Sequence, residues 1–297
     1  MKLSESNFNG YLKKLKYYVE KDGPEKEEWE DYNELFNHIY YDYLNNKLTD
    51  EDMKEIYKVL AIPYAQNTLQ GHAHSQPFGY PGDYLLIDKF YTHKINKEHI
   101  KWDNFVINSP AAKALINRID YFISSISNCN SVNEISVLDI ASGPCRDIKQ
   151  YFDKNNGSNV CFDCVEFDIN AINYAKSILD GSSDKVNFIH KNALRFTTEK
   201  KYDLIWSGGL FDYFDDKVFI RLLKRFSSFL KNNGELIFGN FSPENPSKAY
   251  MEILKWQLNY RDKKQLFKIA KQTGLNMKNV WVSSEPLGIN LFLHYRK

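Results

Sequence analysis

The fold of this chain is decided by the run Val137-Leu138-Asp139-Ile140-Ala141-Ser142-Gly143-Pro144-Cys145-Arg146-Asp147. Its first part is apolar, as in a buried strand, and its second part opens with small residues that allow a tight turn into a helix. A ligand can approach the backbone closely at such a turn, where its polar groups meet the free N–H groups of the helix start. The run therefore predicts a strand and the ligand-binding turn of an open α/β sheet.

Short β-rich runs alternate with helical ones on both sides of this strand. Strands are predicted at Glu134–Ile140, Val160–Phe167, Val186–Ile189, Asp203–Trp206, Glu235–Gly239, Met277–Ser283 and Ile289–Tyr295, and helices near residues 145–154, 171–179 and 216–231. Such alternation is typical of a mostly parallel sheet with helices on both faces. The predicted fold class is α/β, a Rossmann-like seven-stranded mostly parallel sheet in residues 127–297.

Residues 1–126 show helical periodicity instead, which predicts an α-helical N-terminal domain. One predicted helix follows Thr49 and ends before Pro63, and another begins at Ser109-Pro110. Between them, residues 71–84 are rich in glycine and proline, which predicts an ordered loop or a lid.

Composition and charge narrow the classes of partner. The net charge of +1 lacks the basic excess typical of nucleic-acid-binding proteins, so no nucleic-acid partner is expected. No segment approaches the about 18 apolar residues of a membrane span, and the N-terminus has no apolar signal segment, so a cytoplasmic protein without membrane contact is expected. Cys161 and Cys164 lie in a predicted strand, where positions three apart face opposite ways, which favours structural cysteines over a metal site.

The second predicted strand ends in two acidic residues, Glu166 and Asp168. Asp168 is placed to accept both hydroxyls of a ribose, because an ionised carboxylate offers two oxygens. Glu166 is the alternate candidate, one pleat earlier on the same face. Asp168 can also serve as the N-cap of the following helix, which is a structural role.

The run around Gly143 resembles motif I of the class I S-adenosylmethionine-dependent methyltransferases, in which an acidic residue precedes Gly-x-Gly-x-Gly. Gly143 keeps its place, whereas Ala141 and Cys145 stand at the outer glycine positions. The pattern differs from the Gly-x-Gly-x-x-Gly of dinucleotide-binding folds. The resemblance implies that S-adenosylmethionine is the cofactor and S-adenosylhomocysteine the product.

Two later segments fit the same family. Asn192 stands where the family has an acid that binds the adenine amino group, and its amide oxygen can still accept from that amine. The Ser207-Gly208-Gly209 loop corresponds to the one that borders the transferable methyl group, where glycines permit close approach. The predicted cofactor-binding residues are Tyr80, Asp139, Ala141, Ser142, Gly143, Pro144, Asp168, Ile169, Asn192, Ala193, Ser207, Gly208 and Gly209.

Four segments look like a bacterial branch that includes the methyltransferases making 3-hydroxy fatty acid methyl esters as extracellular signals. They are Phe78–Tyr84, Trp206–Tyr213, Gly239–Phe241 with Asn245-Pro246, and Trp256–Arg261. This resemblance implies a small-molecule acceptor, for which a carboxylate is one candidate methyl-accepting group. It also implies a Gly-Tyr-x-Gly-Asp loop that closes over the cofactor. Predicted catalytic residues are His72, Tyr80, Asp83, Asp212 and Tyr213, and predicted substrate-binding residues are Arg146, Phe211, Asn240, Trp256 and Arg261. Asp212 can equally cap the next helix.

The acceptor decides what the protein must supply. A carboxylate needs no base, because it is ionised at neutral pH, but it needs a cation such as Arg146, Arg261 or Lys255. A hydroxyl or an amine needs a general base, for which His72, His74, Asp83 or Tyr80 are available. The resemblance favours O-methylation of a carboxylate or hydroxyl of a fatty-acid-like or natural-product acceptor, without a metal, and a homodimer is a candidate assembly. His72, His74 and Asp83 also leave a metal-assisted reaction open. The alternatives are an N- or C-methyltransferase of a natural product or peptide, an RNA methyltransferase, and a cofactor-binding module without turnover.

Overall fold

The computed structural model describes residues 6–65, 67–129, 134–155, 159–180 and 183–297, and it divides into two compact units. The first unit comprises residues 1–113 and 246–257, and the second comprises residues 114–245 and 258–297. The division falls earlier than the boundary at residue 126 that the sequence predicts, inside the helix Pro110–Ser127. The later part of that helix packs on the sheet of the second unit, where Phe122 contacts Trp206.

The first unit is helical. Its helices are α1 (Ser6–Glu20), α2 (Trp29–Leu44), α3 (Asp50–Ala65), α4 (Leu69–Ser75), α5 (Tyr84–Tyr91), α6 (Ile100–Asn108), the start of α7 (Pro110–Ser127) and, later in the chain, α11 (Lys248–Ile253). Tyr32 packs edge-on against Phe36 and Phe105, with ring centroids 5.0 and 4.8 Å apart, and Tyr250 packs edge-on against Phe36 at 4.9 Å. These aromatic pairs form a core in which the segment around α11 takes part.

Two predictions for this unit were wrong. Helix α3 does not end before Pro63 but continues through it to Ala65, because a proline in the last turn removes only one hydrogen bond. Residues 71–75 are not loop but belong to α4, whose N-terminus is capped by Thr68 accepting a hydrogen bond from the Gly71 amide at 3.0 Å. Residues 76–83 lie between α4 and α5 and are the part of the predicted loop that is not helical.

The second unit is an α/β sandwich. Its elements are β1 (Ile135–Ile140), α8 (Arg146–Lys154), β2 (Val160–Glu166), α9 (Ile169–Ile178), β3 (Val186–His190), β4 (Tyr202–Ser207), α10 (Asp216–Ser227), β5 (Leu230–Phe241), α12 (Lys263–Gln272), β6 (Val280–Ser284) and β7 (Asn290–Arg296). Helix α10 ends four residues before the predicted limit of 231, and β5 begins at Leu230 rather than at Glu235.

In the described part of the chain, seven strands form one sheet in the order β3-β2-β1-β4-β5-β7-β6. Strands β1 to β5 are parallel, while β7 is antiparallel to β5 and to β6. This confirms the predicted fold class. Alternate residues of each strand face opposite sides, so Val137 belongs to the same apolar cluster as Phe122 of α7, and Leu138 to the same cluster as Phe226 of α10. The strand order reverses between β1 and β4, and ligands bind at the carboxyl ends of strands at such a point.

Candidate functional site

The turn after β1 has the backbone of a glycine-rich turn although it contains one glycine. Ala141, Gly143 and Cys145 all have left-handed φ angles of +56°, +53° and +50°. The end of β2 holds this shape, because the Ala141 amide donates to the Val165 carbonyl and the Gly143 amide to Glu166 Oε2, each at 2.8 Å. The turn thus keeps its shape although Ala141 and Cys145 stand where the pattern has glycines, at a conformational cost of about 1–2 kcal/mol for each of the two residues.

Ala141→Gly is therefore expected to raise the free energy of unfolding by up to about 1 kcal/mol, since glycine relieves the strain but has more entropy to lose on folding. Urea denaturation measures this change. Gly143→Ala is the matched control: its new Cβ meets no atom within 4 Å, so only the φ strain remains and stability should fall. A lower stability of Ala141→Gly would contradict the left-handed turn.

Two buried polar atoms at this turn point to a ligand. Asp139 Oδ2 and Ser142 Oγ make no hydrogen bond to any residue that the structure describes. Burial raises the pKa of Asp139 well above its usual range, the charges of Asp147 and Glu166 raise it further, and Arg118 lowers it. Native proteins leave few buried polar groups without a partner, so these atoms are suited to bind polar groups of a ligand.

The two acidic residues at the end of β2 have different roles. Glu166 is buried and accepts hydrogen bonds from the backbone amides of Gly143, Phe167 and Asp168 at 2.7 to 2.9 Å, so it fixes the turn. Asp168 is half-buried and caps α9, with Oδ1 accepting from the Asn170 amide at 2.8 Å. The cap role that the sequence allowed for Asp168 is present. The ribose role stays a prediction, and of the two carboxylates Asp168 is the more accessible.

Apolar side chains beside Asp168 are left open to solvent. Ile169 is 47% exposed and Phe167 67% exposed, which is unusual for large apolar residues at the end of a buried strand. Asn192 accepts from the Leu194 amide at 2.8 Å, so part of its acceptor capacity is used locally, and the neighbouring Ala193 is buried. Ile169 was predicted to contact the cofactor, whereas Phe167 was missed.

The loop after β4 is held by two contacts. Ser207 is buried, and its hydroxyl donates to the Ile140 carbonyl at 2.9 Å, which ties the ends of β4 and β1 together and argues against the predicted cofactor contact. The Gly208 carbonyl accepts from Arg118 Nη1 at 2.8 Å. A Cβ on Gly209 would lie 2.6 Å from the same Nη1, so a larger residue there would have to displace the guanidinium.

Arg118 is a site residue that the sequence analysis missed. It lies on α7 and is buried, and its charge lowers the pKa of Asp139, Asp147 and Asp212. Arg118 follows Leu115 by three residues and precedes Phe122 by four, so it stands on the apolar face of the helix. An arginine at such a position was the available signal.

Asp212 lies under the loop after β4. It is buried and accepts from the Phe241 amide at 2.6 Å. Burial raises its pKa to about 6, while the Phe241 hydrogen bond and the charges of Arg118 and Arg261 lower it. Helix α10 is capped by Asp215, which accepts from the Val218 amide at 2.8 Å, so the alternative cap role for Asp212 was wrong. Its catalytic role and that of the partly exposed Tyr213 stay predictions.

Three of the predicted substrate-binding residues are packed inside the second unit. Phe211 is fully buried and stacks on Phe238 with ring centroids 3.8 Å apart. Arg261 is 3% exposed, and its guanidinium donates to Asn240 Oδ1 at 2.8 Å. Because the side chains of Phe211, Asn240 and Arg261 are engaged in contacts within the protein, we infer that they support the loop after β4. The other two predicted substrate-binding residues are placed differently. Trp256 belongs to the first unit and is buried against Phe90, whereas Arg146 belongs to the second unit and is half-buried at the start of α8.

The first unit brings together two predicted catalytic residues. His72 Nε2 lies 2.8 Å from Asp83 Oδ2, and His72 Nδ1 lies 3.2 Å from the ammonium nitrogen of Lys89, which the sequence analysis missed. Burial and the charge of Lys255 lower the pKa of His74 to about 4, so His74 is neutral at pH 7. Tyr80 is half-buried between Gly79 and Gly82, whose φ angles are +82° and +65°, and its role stays a prediction.

The described residues contain neither a cluster suited to a metal ion nor a membrane-spanning helix. No group of three histidine, cysteine, aspartate or glutamate side chains there is arranged to hold a metal ion. None of the helices in that part of the chain is long and apolar enough to cross a bilayer.

Part of the chain is similar in sequence to known methyltransferases. A family model described as a methyltransferase domain matches residues 137–234. Over 105 residues the chain is 32% identical to malonyl-[acyl-carrier protein] O-methyltransferase 1 of Ilyobacter polytropus, a match that covers 33% of this chain and 36% of that relative. The chain thus spans little more than a third of this relative's length.

Two solved structures share the fold. A Bordetella parapertussis protein described only as a suspected exported protein superimposes with a TM-score of 0.62 at 17% identity, covering 72% of this chain and 79% of that one. A Nostoc punctiforme protein named for a suspected O-methyltransferase activity gives a TM-score of 0.51 at 16% identity, covering 63% and 58%. The residues that match the family model lie in the second unit, which thus resembles a methyltransferase domain in sequence and has the fold of these two structures.

Proposed function

We propose that the chain is an enzyme that transfers the methyl group of S-adenosylmethionine to a carboxylate oxygen of a small acyl acceptor. This proposal rests on the surroundings of the candidate general bases. Both ring nitrogens of His72 have partners, the half-buried His74 is a weak base because its pKa is lowered to about 4, and Asp212 is buried beneath its loop. An acceptor that is already ionised at neutral pH needs none of them. The malonyl-[acyl-carrier protein] O-methyltransferase relative supports an acyl acceptor.

The residues at the carboxyl ends of β1, β2 and β4 fit the cofactor. The unpartnered Asp139 Oδ2 is suited to its amino group, and the buried Arg118 guanidinium to its carboxylate. Asp168 is suited to the ribose hydroxyls, with the open faces of Ile169 and Phe167 for the adenine. At Gly143 a Cβ would meet no protein atom within 4 Å, which leaves the space above the turn open for a ligand.

Bound S-adenosylmethionine supplies an electrophilic methyl group on a sulfonium. The residues of the chain then have to hold the acceptor oxygen in line with that methyl group and exclude water, because attack on the methyl neutralises charge and needs no proton transfer from a carboxylate. Gly208 and Gly209, fixed by Arg118, keep the loop after β4 close to the strand ends.

Asp168→Ala is expected to weaken S-adenosylmethionine binding by about 1–3 kcal/mol, since the ribose hydroxyls lose a charged acceptor. Isothermal titration calorimetry measures the affinity. Asp168→Asn is the control, because it keeps the α9 cap but loses the charge and one acceptor oxygen. Unchanged affinity in Asp168→Ala would leave the residue with its cap role alone.

The proposed activity is tested with tritiated methyl donor and malonyl-[acyl-carrier protein] or simple fatty acids as acceptors. A carboxyl methyl ester releases volatile tritiated methanol in mild alkali, whereas N-methyl, C-methyl and ether products do not. Cofactor binding without any release of S-adenosylhomocysteine would contradict the proposed enzymatic activity and favour a binding module. Retention of the label in alkali would favour an N- or C-methyltransferase, and salt-sensitive binding of tRNA would favour an RNA substrate. The predicted homodimer and the cytoplasmic location stay predictions.

A further inference from the structure

A separate polar cluster of the second unit lies between α7 and the strands β5, β6 and β7. It consists of Tyr121 of α7, Glu235 of β5, Ser283 of β6 and His294 of β7. His294 Nδ1 lies 2.7 Å from Glu235 Oε1, and His294 Nε2 lies 2.7 Å from Ser283 Oγ and 2.8 Å from the Tyr121 hydroxyl. All four residues belong to the second unit, so that unit alone sets their arrangement.

The chemistry of the cluster sets the direction of its hydrogen bonds. Burial raises the pKa of Glu235, but hydrogen bonds and charges from His294 and Arg296 outweigh burial and lower this pKa below its usual value. The carboxylate is therefore ionised at neutral pH and only accepts, so Nδ1 of the ring donates to it. Nε2 of the neutral ring then presents its lone pair to the hydroxyls of Ser283 and Tyr121.

This is the arrangement of a serine nucleophile with its general base. A nucleophilic hydroxyl needs a base within hydrogen-bonding distance, and that base needs a third group that fixes its orientation and tautomer. Ser283, His294 and Glu235 meet both conditions. Tyr121 contacts the Ser283 hydroxyl, and burial raises the pKa of its phenol, so it stays a donor at neutral pH. A phenol O–H in this place is suited to an oxygen that becomes negative during attack on a carbonyl.

The cluster borders a cavity of about 620 Å³. Tyr121, Glu235 and His294 line this cavity, together with Trp281. Cavities of about 300–1,000 Å³ hold small organic ligands. Ser283 is half-buried, so its hydroxyl is not closed off from solvent. The cavity thus gives the base and its partners a space in which a small substrate fits.

Packing of α7 on the sheet does not require these polar groups. The ring of Tyr121 already stacks on Phe292 with centroids 3.9 Å apart, which joins the helix to β7 without the hydroxyl. Replacing a buried charged cluster by apolar residues of similar size is often neutral or stabilising. The pairing of Glu235 with His294 is therefore better explained by chemistry than by stability.

We propose that this cavity is a hydrolytic site for small carboxylic esters, with Ser283 as the nucleophile. Ser283 Oγ forms a bond to the carbonyl carbon and gives its proton to His294 Nε2, while the carbonyl electron pair moves to the oxygen, to which Tyr121 donates. The bond to the alcohol oxygen then breaks, the alcohol leaves with the proton from His294, and the acyl group stays on Ser283. Water attacks this acyl-serine in the same way, which releases the carboxylic acid and restores the hydroxyl.

In this reaction Glu235 is a positioning residue that holds the His294 ring and its tautomer. The activity goes beyond the proposed methyl transfer and does not depend on it, because none of the residues involved belongs to the candidate cofactor site.

Labelling of the wild-type full chain with a fluorophosphonate tests the nucleophile. Attack by an activated serine displaces fluoride and leaves a phosphonyl group, whose position peptide mass spectrometry identifies. We expect the label on Ser283 in the folded chain and none there when the chain is denatured first. The neighbouring Ser284 is exposed and lines the same cavity, so it is the internal control and should stay unlabelled. A folded chain without label on Ser283, or with equal label on Ser284, would overturn the proposal.

Hydrolysis of p-nitrophenyl acetate gives the second test. Ser283→Ala and His294→Gln should lower the enzyme-dependent rate about 1,000-fold or more, and Tyr121→Phe about 100-fold. Glu235→Gln should lower kcat about 1,000-fold with little change in KM, and Glu235→Asp should recover part of that loss. Ser284→Ala is the matched control and should keep the wild-type rate. A Ser283→Ala protein that hydrolyses the ester as fast as wild type does would contradict the proposal.

Two further measurements separate this site from a structural cluster and from the cofactor site. Ser283→Ala should keep the wild-type melting temperature within a few degrees, because it removes one hydroxyl from a half-buried position. It should also keep the wild-type affinity for S-adenosylmethionine, measured by calorimetry. A structural cluster predicts the opposite pattern, in which Ser283→Ala melts well below wild type and the wild-type chain takes no label.

Discussion

Arg118→Met is expected to lower the affinity for S-adenosylmethionine by about two to three orders of magnitude. The variant leaves the carboxyls of the buried Asp139 and Asp212 and of the half-buried Asp147 without the cation that opposes their charge. It also frees the Gly208 carbonyl that Arg118 holds at 2.8 Å. Removing one partner from a buried set of charges costs about 3–5 kcal/mol, and part of this loss is expected in the cofactor-binding state. Calorimetric titration measures the affinity, and urea denaturation measures the accompanying loss of stability.

Two variants separate binding from folding. Arg118→Lys keeps the charge but loses the planar fork, so we expect an affinity between wild type and Arg118→Met. Lys113→Met removes an exposed cation from the same helix and should change neither affinity nor stability. Wild-type affinity in an Arg118→Met protein of reduced stability would show that Arg118 serves the fold alone.

The sheet could be predicted from the sequence because strand patterning is local. Each predicted strand overlaps an observed one, since β-branched runs and the turns between them are set by neighbouring residues. The turn at Ala141 and Cys145 is the informative case. The pattern of small residues predicted the turn correctly, yet the sequence alone did not show that two residues other than glycine would adopt left-handed angles. The amides of Ala141 and Gly143 are held by Val165 and Glu166, which are distant in sequence, and such contacts are not visible in the local pattern.

The roles of polar residues were harder to predict because their partners lie far away in the chain. Arg261 and Asn240 were interpreted as substrate ligands, but Arg261 binds Asn240 and, 50 positions earlier, the Phe211 carbonyl. Arg118 was missed for the converse reason: it looks like an ordinary helical arginine until folding buries it. Sequence patterns identify which residues can carry chemistry, whereas burial and pairing decide which of them are available.

Arg261→Met is expected to lower the free energy of unfolding by about 3–5 kcal/mol while leaving acceptor KM and cofactor affinity of the folded protein near wild type. Arg261 is buried, its Nε donates to Asp216 at 2.9 Å, and its terminal nitrogens donate to Asn240 at 2.8 Å and to the carbonyls of Phe211 and Phe214 at 3.1 and 2.5 Å. Methionine fills much of the same space but leaves these acceptors without a donor, which is the costly part of the change.

Urea denaturation and steady-state kinetics below the melting temperature measure the two effects separately. Arg221→Met is the matched control, because Arg221 is exposed on α10 and should tolerate the same substitution. The outcome that would reverse our assignment is a stable Arg261→Met protein with a strongly raised KM. Arg261 would then reach the acceptor after all, and its contacts with Phe211, Phe214 and Asn240 would have to open when the acceptor binds. A large stability loss with unchanged KM would instead support the structural role that we assign to Arg261.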